Sequence, residues 1–379
     1  MDEVKKIAFI NCEVQNAFEA PFAADVFVQD GKISALKAPD ADTAGFEVFD
    51  CQGLTLMPGL IDRHLHGGYG CDFNTASQEA IGHLLEKLPY HGVTAILPTV
   101  MTDSIENINR QLDIIKNVKS QGAEILGVHL EGPFLNPLYK GIHPEKYLLK
   151  PTVENLRKID TSFVKILSYA PEIAEEGFEQ ELTRLGIIPS AAHSDCDYDT
   201  AVEKFKTIKS VTHIFNAMRG IKHRDPGMIT EALLNNEVFA EIICDMQHIH
   251  PAVVQMFLKL KNKEHIVFIS DALPGAYGKA DSFAFGGEQI FLKDGKAVSE
   301  EGTVAGSILF LDDIFRTVNK YFNLKPSDFI GYTSLNSAKS LKLQQLGSIK
   351  AGNNAHLILA DKNLVVKAFM IKSKFGKLL

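Results

Sequence analysis

The chain has 379 residues, with 39 Lys and Arg against 47 Asp and Glu, and its net charge of −8 offers no excess of cations to a nucleic-acid backbone. A hydrophobic fraction of 45% and a charged fraction of 23% exclude the disordered and fibrous classes. No run approaches the roughly 18 consecutive apolar residues of a membrane span, and the opening MDEVKKIAFINCEV lacks the basic-then-apolar pattern of an export signal, so a cytoplasmic protein without a membrane partner is expected.

Residues 1–56 read as short strands: 6–14 is apolar and β-branched, and 26–28 and 33–36 flank Asp30-Gly31, a two-residue hairpin signal. Cys12, Cys51, Cys71, Cys196 and Cys244 are scattered and never spaced as CxxC, which argues against a thiolate cluster or a disulfide framework. Eight apolar runs follow, at 59–66, 93–100, 124–131, 164–170, 187–193, 210–216, 239–245 and 266–271. Segments of helical period lie between and after them, among them 77–91, 105–121 and 308–323. Eight Val-, Ile- and Leu-rich strands with helical intervals are the pattern of a (β/α)8 TIM-like barrel. Strand texture returns at 355–360 and 364–371, around a polar turn at 361–363. Neither terminal segment has enough strands to bury a core alone. The expected organisation is therefore an α/β protein in which 1–56 and 345–379 build a small β-sandwich domain and 57–344 form the barrel.

In such barrels the C-terminal ends of the strands carry the chemistry. The first run ends Asp62-Arg63-His64-Leu65-His66, and side chains two apart on a strand face the same way, so His64 and His66 can act as a nitrogen pair. Glu131, His193, His213 and Asp271 stand at the corresponding ends of the third, fifth, sixth and eighth runs. Nitrogen and oxygen donors gathered at one end are what a divalent metal requires. Buried histidines satisfied by backbone carbonyls would not explain why all of them sit at the same end.

These residues also carry a resemblance. Pro58-Gly59-Leu60-Ile61-Asp62-Arg63-His64-Leu65-His66-Gly67, the run His129-Leu130-Glu131-Gly132-Pro133-Phe134-Leu135-Asn136-Pro137 with its sequel Gly141-Ile142-His143-Pro144, Thr212-His213-Ile214-Phe215-Asn216-Ala217-Met218, Asp271-Ala272 and Ala305-Gly306-Ser307 make the chain similar to the N-acetylglucosamine-6-phosphate deacetylases of the amidohydrolase superfamily. The resemblance implies hydrolysis of the acetamide of an N-acetylated amino-sugar phosphate, in amino-sugar catabolism and cell-wall recycling. It implies a metal held by Glu131, His193 and His213, with His64 and His66 matching members that hold a second ion. Zinc suits such donors, and iron, manganese or cobalt also fit. Asp271 takes the place of the general base and acid. His143 is expected to contact the sugar or polarise the acetyl carbonyl. Arg224 and His248 match phosphate-binding residues, the arginine reaching across from a neighbouring subunit of a homodimer. Ile142, Asn216, Ala217, Val304, Ala305, Gly306 and Ser307 are expected around the sugar, with Gly306 allowing close backbone approach.

The chain departs from the family pattern in places. Asp245-Met246-Gln247-His248 stands where members commonly have Asp-Gly-x-His, Ala192 replaces a glycine before His193, and Ala355-His356-Leu357 replaces Ala-Asp-Leu. A related barrel enzyme acting on an N-acyl amino acid or a cyclic amide is the alternative reading. A metal-free scaffold would lack at least one ligand position, and here each is filled. Acceptance of acetylated galactosamine or mannosamine phosphates stays open at this level.

Overall fold

A strand covered on both faces must be apolar on both, and the central runs satisfy that condition. In the computed structural model they form β1 (Leu60–Leu65), β2 (Val93–Met101), β3 (Val128–Glu131), β4 (Val164–Tyr169), β5 (Ile188–Ala191), β6 (Ser210–Val211), β7 (Phe239–Ile243) and β8 (Ile266–Ile269). Each pairs in parallel with the next. Asp271 N donates to His64 O and His66 N to Ala272 O, both at 2.9 Å, and these bonds close the seam between β8 and β1. The result is a (β/α)8 barrel. The structure describes residues 2–119 and 121–377, so Ser120 of the expected helical segment 105–121 and the outermost terminal residues lie outside it.

Most runs are a residue or more shorter than expected, and the third and sixth change for reasons visible in the backbone. The third breaks at Gly127, φ 141°, into Glu124–Ile125 and Val128–Glu131. The sixth stops at Val211 because His213, Phe215 and Ala217 adopt left-handed φ values of 29°, 78° and 49°. The helices Gln78–Lys87 and Ile105–Lys116 begin where Ser77 and Ser104 accept hydrogen bonds from Ala80 N and Asn107 N.

Both chain ends share one nine-stranded sheet, in the order Asp2–Glu3, Lys374–Lys377, Val366–Ile371, His356–Ala360, Thr55–Pro58, Lys6–Val14, Phe22–Gln29, Lys32–Lys37, with Glu47–Asp50 also paired to Lys6–Val14. Asp30 and Gly31, with φ of 50° and 74°, make the hairpin turn. Ile7, Phe9, Val26 and Val28 pack with Leu357, Leu359, Ala368 and Met370 in a common core. The junction strand Thr55–Pro58 pairs with His356–Ala360, so this sheet runs through the boundary expected at 56/57.

One element had no counterpart in the sequence reading. Ser282–Phe285, Glu288–Lys293 and Lys296–Ser299 form a three-stranded antiparallel sheet after β8. Its Phe285 and Ile290 pack with Met101, Ile142 and Leu273, residues from the C-terminal end of β2 and from loops at the same end of the barrel.

Barrel and terminal sheet meet at Glu124. Its carboxylate lies 2.6 Å from Lys372 Nζ and 3.0 Å from His356 Nε2. Burial pushes the Glu124 carboxyl up, but His356 and Lys372 outweigh it and bring the pKa to about 2. A carboxyl whose folded pKa lies below its unfolded value of about 4.5 adds stability that is complete above that value and lost as the pH falls towards 2. Because Lys372 is half exposed, the contribution after screening is about 1 kcal/mol. Glu124→Gln is expected to melt lower than the natural chain at pH 7, with the gap in Tm narrowing towards pH 3. A gap that stays constant between these pH values would show that Glu124 does not act through its charge.

Candidate active site

Strand ends deliver the ionisable groups at the floor of the site, and loops deliver His143 and His248. His64 and His66 come from the end of β1, and Glu131 closes β3. His193, His213 and Asp271 each stand two residues beyond the end of β5, β6 and β8, and all three have left-handed backbone, with φ of 43°, 29° and 50°. Such conformations cost of order 1 kcal/mol or more for a non-glycine residue and persist where surrounding structure fixes them.

Glu131 is the meeting point. Its Oε1 lies 2.9 Å from His213 Nε2 and 3.2 Å from His193 Nε2. Its Oε2 lies 3.1 Å from His66 Nε2, 3.5 Å from His143 Nε2 and 3.7 Å from His64 Nε2. Asp271 Oδ1 faces the same pair, 3.2 Å from His64 Nε2 and 3.3 Å from His66 Nε2. All of these side chains are buried.

Hydrogen bonds behind the rings decide which atoms face inward. His193 Nδ1 lies 2.8 Å from Tyr139 O, a carbonyl that can only accept, so the proton sits on Nδ1. The other nitrogen, Nε2, faces the Glu131 oxygen and His213 Nε2, each 3.2 Å away, and in a neutral ring that atom carries the lone pair. Electron pairs facing one another at this distance call for a cation between them. Among the described residues three such nests have donor atoms within 4.8 Å of one another: His64 with His66 and Glu131, His193 with His213 and Glu131, and His64 with His129 and Glu241, the last lying behind the site with no member lining the cavity. Imidazole nitrogens with a carboxylate oxygen fit a divalent ion of the zinc class.

The charges respond to this crowding. Burial opposes ionisation of Glu131, yet His64, His143 and His193 hold its carboxyl well below the usual range. Asp271 is lowered in the same way, against its burial, by His64 and His66. For His66, burial pulls the imidazole down, while Asp271 and Glu131 lift it to about 9. His143 behaves oppositely: burial dominates and lowers it to about 4, leaving a neutral ring whose Nδ1 lies 2.8 Å from Thr102 Oγ1.

Above these groups lies a cavity of about 330 Å³. Ile142, His143, Asn216, Ala217, His248, Val304 and Ala305 line it, as do Tyr139, Gln247 and Phe285, which the sequence reading did not single out. His248 Nδ1 is held 2.7 Å from Asp245 Oδ2. Burial lowers this imidazole and Asp245 more than compensates, raising it. Its Nε2 is buried with no hydrogen-bond partner among the described residues. Met246 takes φ 60° at the position where a glycine was noted as common.

Gly306 and Ser307 do not line the cavity. A Cβ on Gly306 would stand 2.8 Å from Asp271 O, and Ser307 N donates to that same oxygen at 2.9 Å. The close approach at Gly306 is therefore to the backbone of Asp271. Arg224 is exposed on the turn 222–225, away from the cavity of its own chain. Glu241 and Arg63, fully buried behind His64, are further charged groups of the site, not among the residues expected from the sequence. The acid within the apolar run Phe239-Ala240-Glu241-Ile242-Ile243 was the signal available.

A family model described as the amidohydrolase family matches residues 55–376. The N-acetylglucosamine-6-phosphate deacetylase of Lysinibacillus sphaericus is 32% identical over 366 residues, 94% of each chain. Among solved structures, the N-acetylglucosamine-6-phosphate deacetylase of Thermotoga maritima superposes with a TM-score of 0.88 at 29% identity, covering 98% of this chain and 100% of that one. A mutant of the N-acetyl-D-glucosamine-6-phosphate deacetylase from Mycobacterium smegmatis, in complex with N-acetyl-D-glucosamine-6-phosphate, superposes with a TM-score of 0.86 at 25% identity over 99% of both chains. The likeness spans the terminal sheet and every strand that bears a site residue, and the chain belongs to the amidohydrolase family.

Proposed function

We propose that the chain hydrolyses the acetamide of N-acetyl-D-glucosamine 6-phosphate to D-glucosamine 6-phosphate and acetate, acting in the cytoplasm in amino-sugar catabolism and cell-wall recycling. The observation that carries this reading is the two-sided carboxylate of Glu131, with His193 and His213 on one oxygen, His64, His66 and His143 on the other, and Asp271 facing His64 and His66, at the floor of the cavity.

Glu131, His193 and His213 would hold one divalent ion, and Glu131, His64 and His66 a second, with zinc first and iron, manganese or cobalt as alternatives. When bound, such an ion acidifies water and polarises an amide carbonyl, the two requirements of amide hydrolysis. Asp271, kept ionised by its neighbours, takes the proton of the attacking water and returns it to the departing sugar nitrogen. His143, neutral and steadied by the Thr102 hydroxyl, offers Nε2–H to the acetyl oxygen. His248, raised by Asp245 and with its Nε2 unpartnered among the described residues, faces the sugar phosphate, and Asn216, Ala217, Ile142, Val304 and Ala305 shape the pocket around the ring. Gly306 and Ser307 act at one remove, by holding the Asp271 backbone. Arg224, displayed on an exposed turn, serves the phosphate in the site of a second copy, which makes the working form a homodimer.

Asp271→Asn is expected to keep its metal while losing about 10²- to 10⁴-fold in kcat; near-normal turnover with metal retained would remove Asp271 from its role. Glu131→Ala should empty both nests, and His66→Ala only one, as read by elemental analysis of the purified chain. Arg224→Ala should raise KM for the phosphorylated sugar and leave turnover of unphosphorylated N-acetylglucosamine unchanged. Equal rates of the natural chain on the two sugars would instead favour a different amide substrate.

A further inference from the structure

Behind His64, on the side away from the cavity, the barrel interior holds a pair of charges. Arg63 is completely buried, and its Nε donates to Glu241 Oε1 at 2.6 Å. Its two remaining nitrogens donate to Ser340 Oγ at 2.5 Å and Ser210 Oγ at 2.6 Å, so the guanidinium is tethered to β6, β7 and the helix Asn336–Ser340. Burying such a pair is a poor way to gain stability, since well-packed apolar side chains of similar volume commonly do as well or better. Its geometry suggests another purpose. The second oxygen of Glu241, Oε2, lies 3.2 Å from His64 Nδ1. A carboxylate bound to arginine through its other oxygen can only accept, so Nδ1 must donate, and when His64 is neutral, as a ligand must be, its lone pair is on Nε2. That atom faces His66 Nε2 at 3.3 Å and Asp271 Oδ1 at 3.2 Å.

The other rings of the cluster are held differently. His193 donates to a backbone carbonyl, and the Nδ1 atoms of His66 and His213 have no hydrogen-bond partner among the described residues. His64 alone has a charged group behind it, and His129, whose ring packs edge-on at 4.4 Å, closes the remaining side. An acid behind a metal-binding imidazole fixes its tautomer and orientation and raises its basicity.

We propose that Glu241, oriented by Arg63, is a positioning residue that holds His64 with its Nε2 lone pair in the site and thereby sets how strongly the His64–His66 nest holds a divalent cation. This rests on the reading of His64, His66 and Glu131 as ligands.

Co²⁺ binding to the full chain, followed by the visible bands of the ion and by competition with a chromophoric chelator, tests it. In Glu241→Gln the affinity of the His64–His66 nest for Co²⁺ should fall about 10- to 100-fold, while the Glu131–His193–His213 nest keeps its own. Because a lone buried Arg63 could unfold that variant, the double change Arg63→Met with Glu241→Leu is measured beside it. It should melt at or above the natural Tm and show the same weakened binding. Unaltered Co²⁺ affinity in either folded variant would overturn the proposal, reducing the pair to packing. His64→Ala and His193→Ala separate this failure from a failure of the ligand assignment. If both of these also bind Co²⁺ normally, the assignment itself is wrong. If they lose an ion while the Glu241 variants do not, only the positioning role falls.

Discussion

The two oxygens of one buried carboxylate impose the tightest constraint in this molecule. Glu131 has to meet His193 and His213 with Oε1 and His66 with Oε2, all between 2.9 and 3.2 Å, and those partners come from three other strand ends. On a strand, a slip of one residue turns every side chain to the opposite face. The registers of β1, β3, β5 and β6 are therefore tied to one another through a single side chain. The left-handed backbone at His193, His213 and Asp271 belongs to the same constraint, because a chain that simply continued as a strand would carry these groups past the carboxylate.

The rest of the fold steadies that meeting point. β1, which supplies His64 and His66, starts directly after Thr55–Pro58, a strand anchored between both halves of the terminal sheet. Gly59 joins the two, with N donating to His356 O at 2.8 Å and O accepting from Ser334 Oγ at 3.0 Å. A Cβ at Gly59 would stand 2.1 Å from Thr94 Oγ1, so only glycine lets β1 begin this close to β2. At the opposite end, the sheet 282–299 places Phe285 against the cavity and against the His66 ring, 5.2 Å away. The terminal sheet fixes where the imidazole pair starts, and the inserted sheet narrows what reaches it.

Much of this was legible in the residues. Apolar runs buried on both faces announced the eight barrel strands, and Asp30-Gly31 announced its hairpin. The polar residues at the run ends named the groups that the structure gathers around Glu131. What escaped depended on three-dimensional placement. Nothing in the pattern Phe239-Ala240-Glu241-Ile242-Ile243 says whether its acid faces the lumen or a helix, because both faces of a barrel strand are covered. Gly306 showed that something comes close, but not that the neighbour is Asp271 O. The sheet 282–299 was readable in principle. Gly286-Gly287 and Asp294-Gly295 are two-residue turns with positive φ at every position, between short strands rich in Phe, Ile and Val. Its composition resembles the terminal segments, and sequence alone does not say that it packs over the barrel mouth.

The charge inventory explains why a barrel interior tolerates so many ionisable groups. Glu131, Asp271 and Glu241 are all held below the usual carboxylate range, and Arg63 is the one permanent cation buried among them. Three carboxylates against one guanidinium leave the centre short of positive charge, and isolated charge in a dry interior is too costly to leave unbalanced. The imidazoles can meet the deficit with protons, which is why His64 and His66 rise against their burial. A divalent cation meets it with one species, and it uses the Nε2 atoms that the hydrogen bonds behind His64 and His193 turn inward. Protons and metal therefore compete for the same field, and binding the ion must release the protons that stood in for it. The negative centre is thus a preorganised cation site, and the arrangement of its acids, more than any one histidine, makes it so.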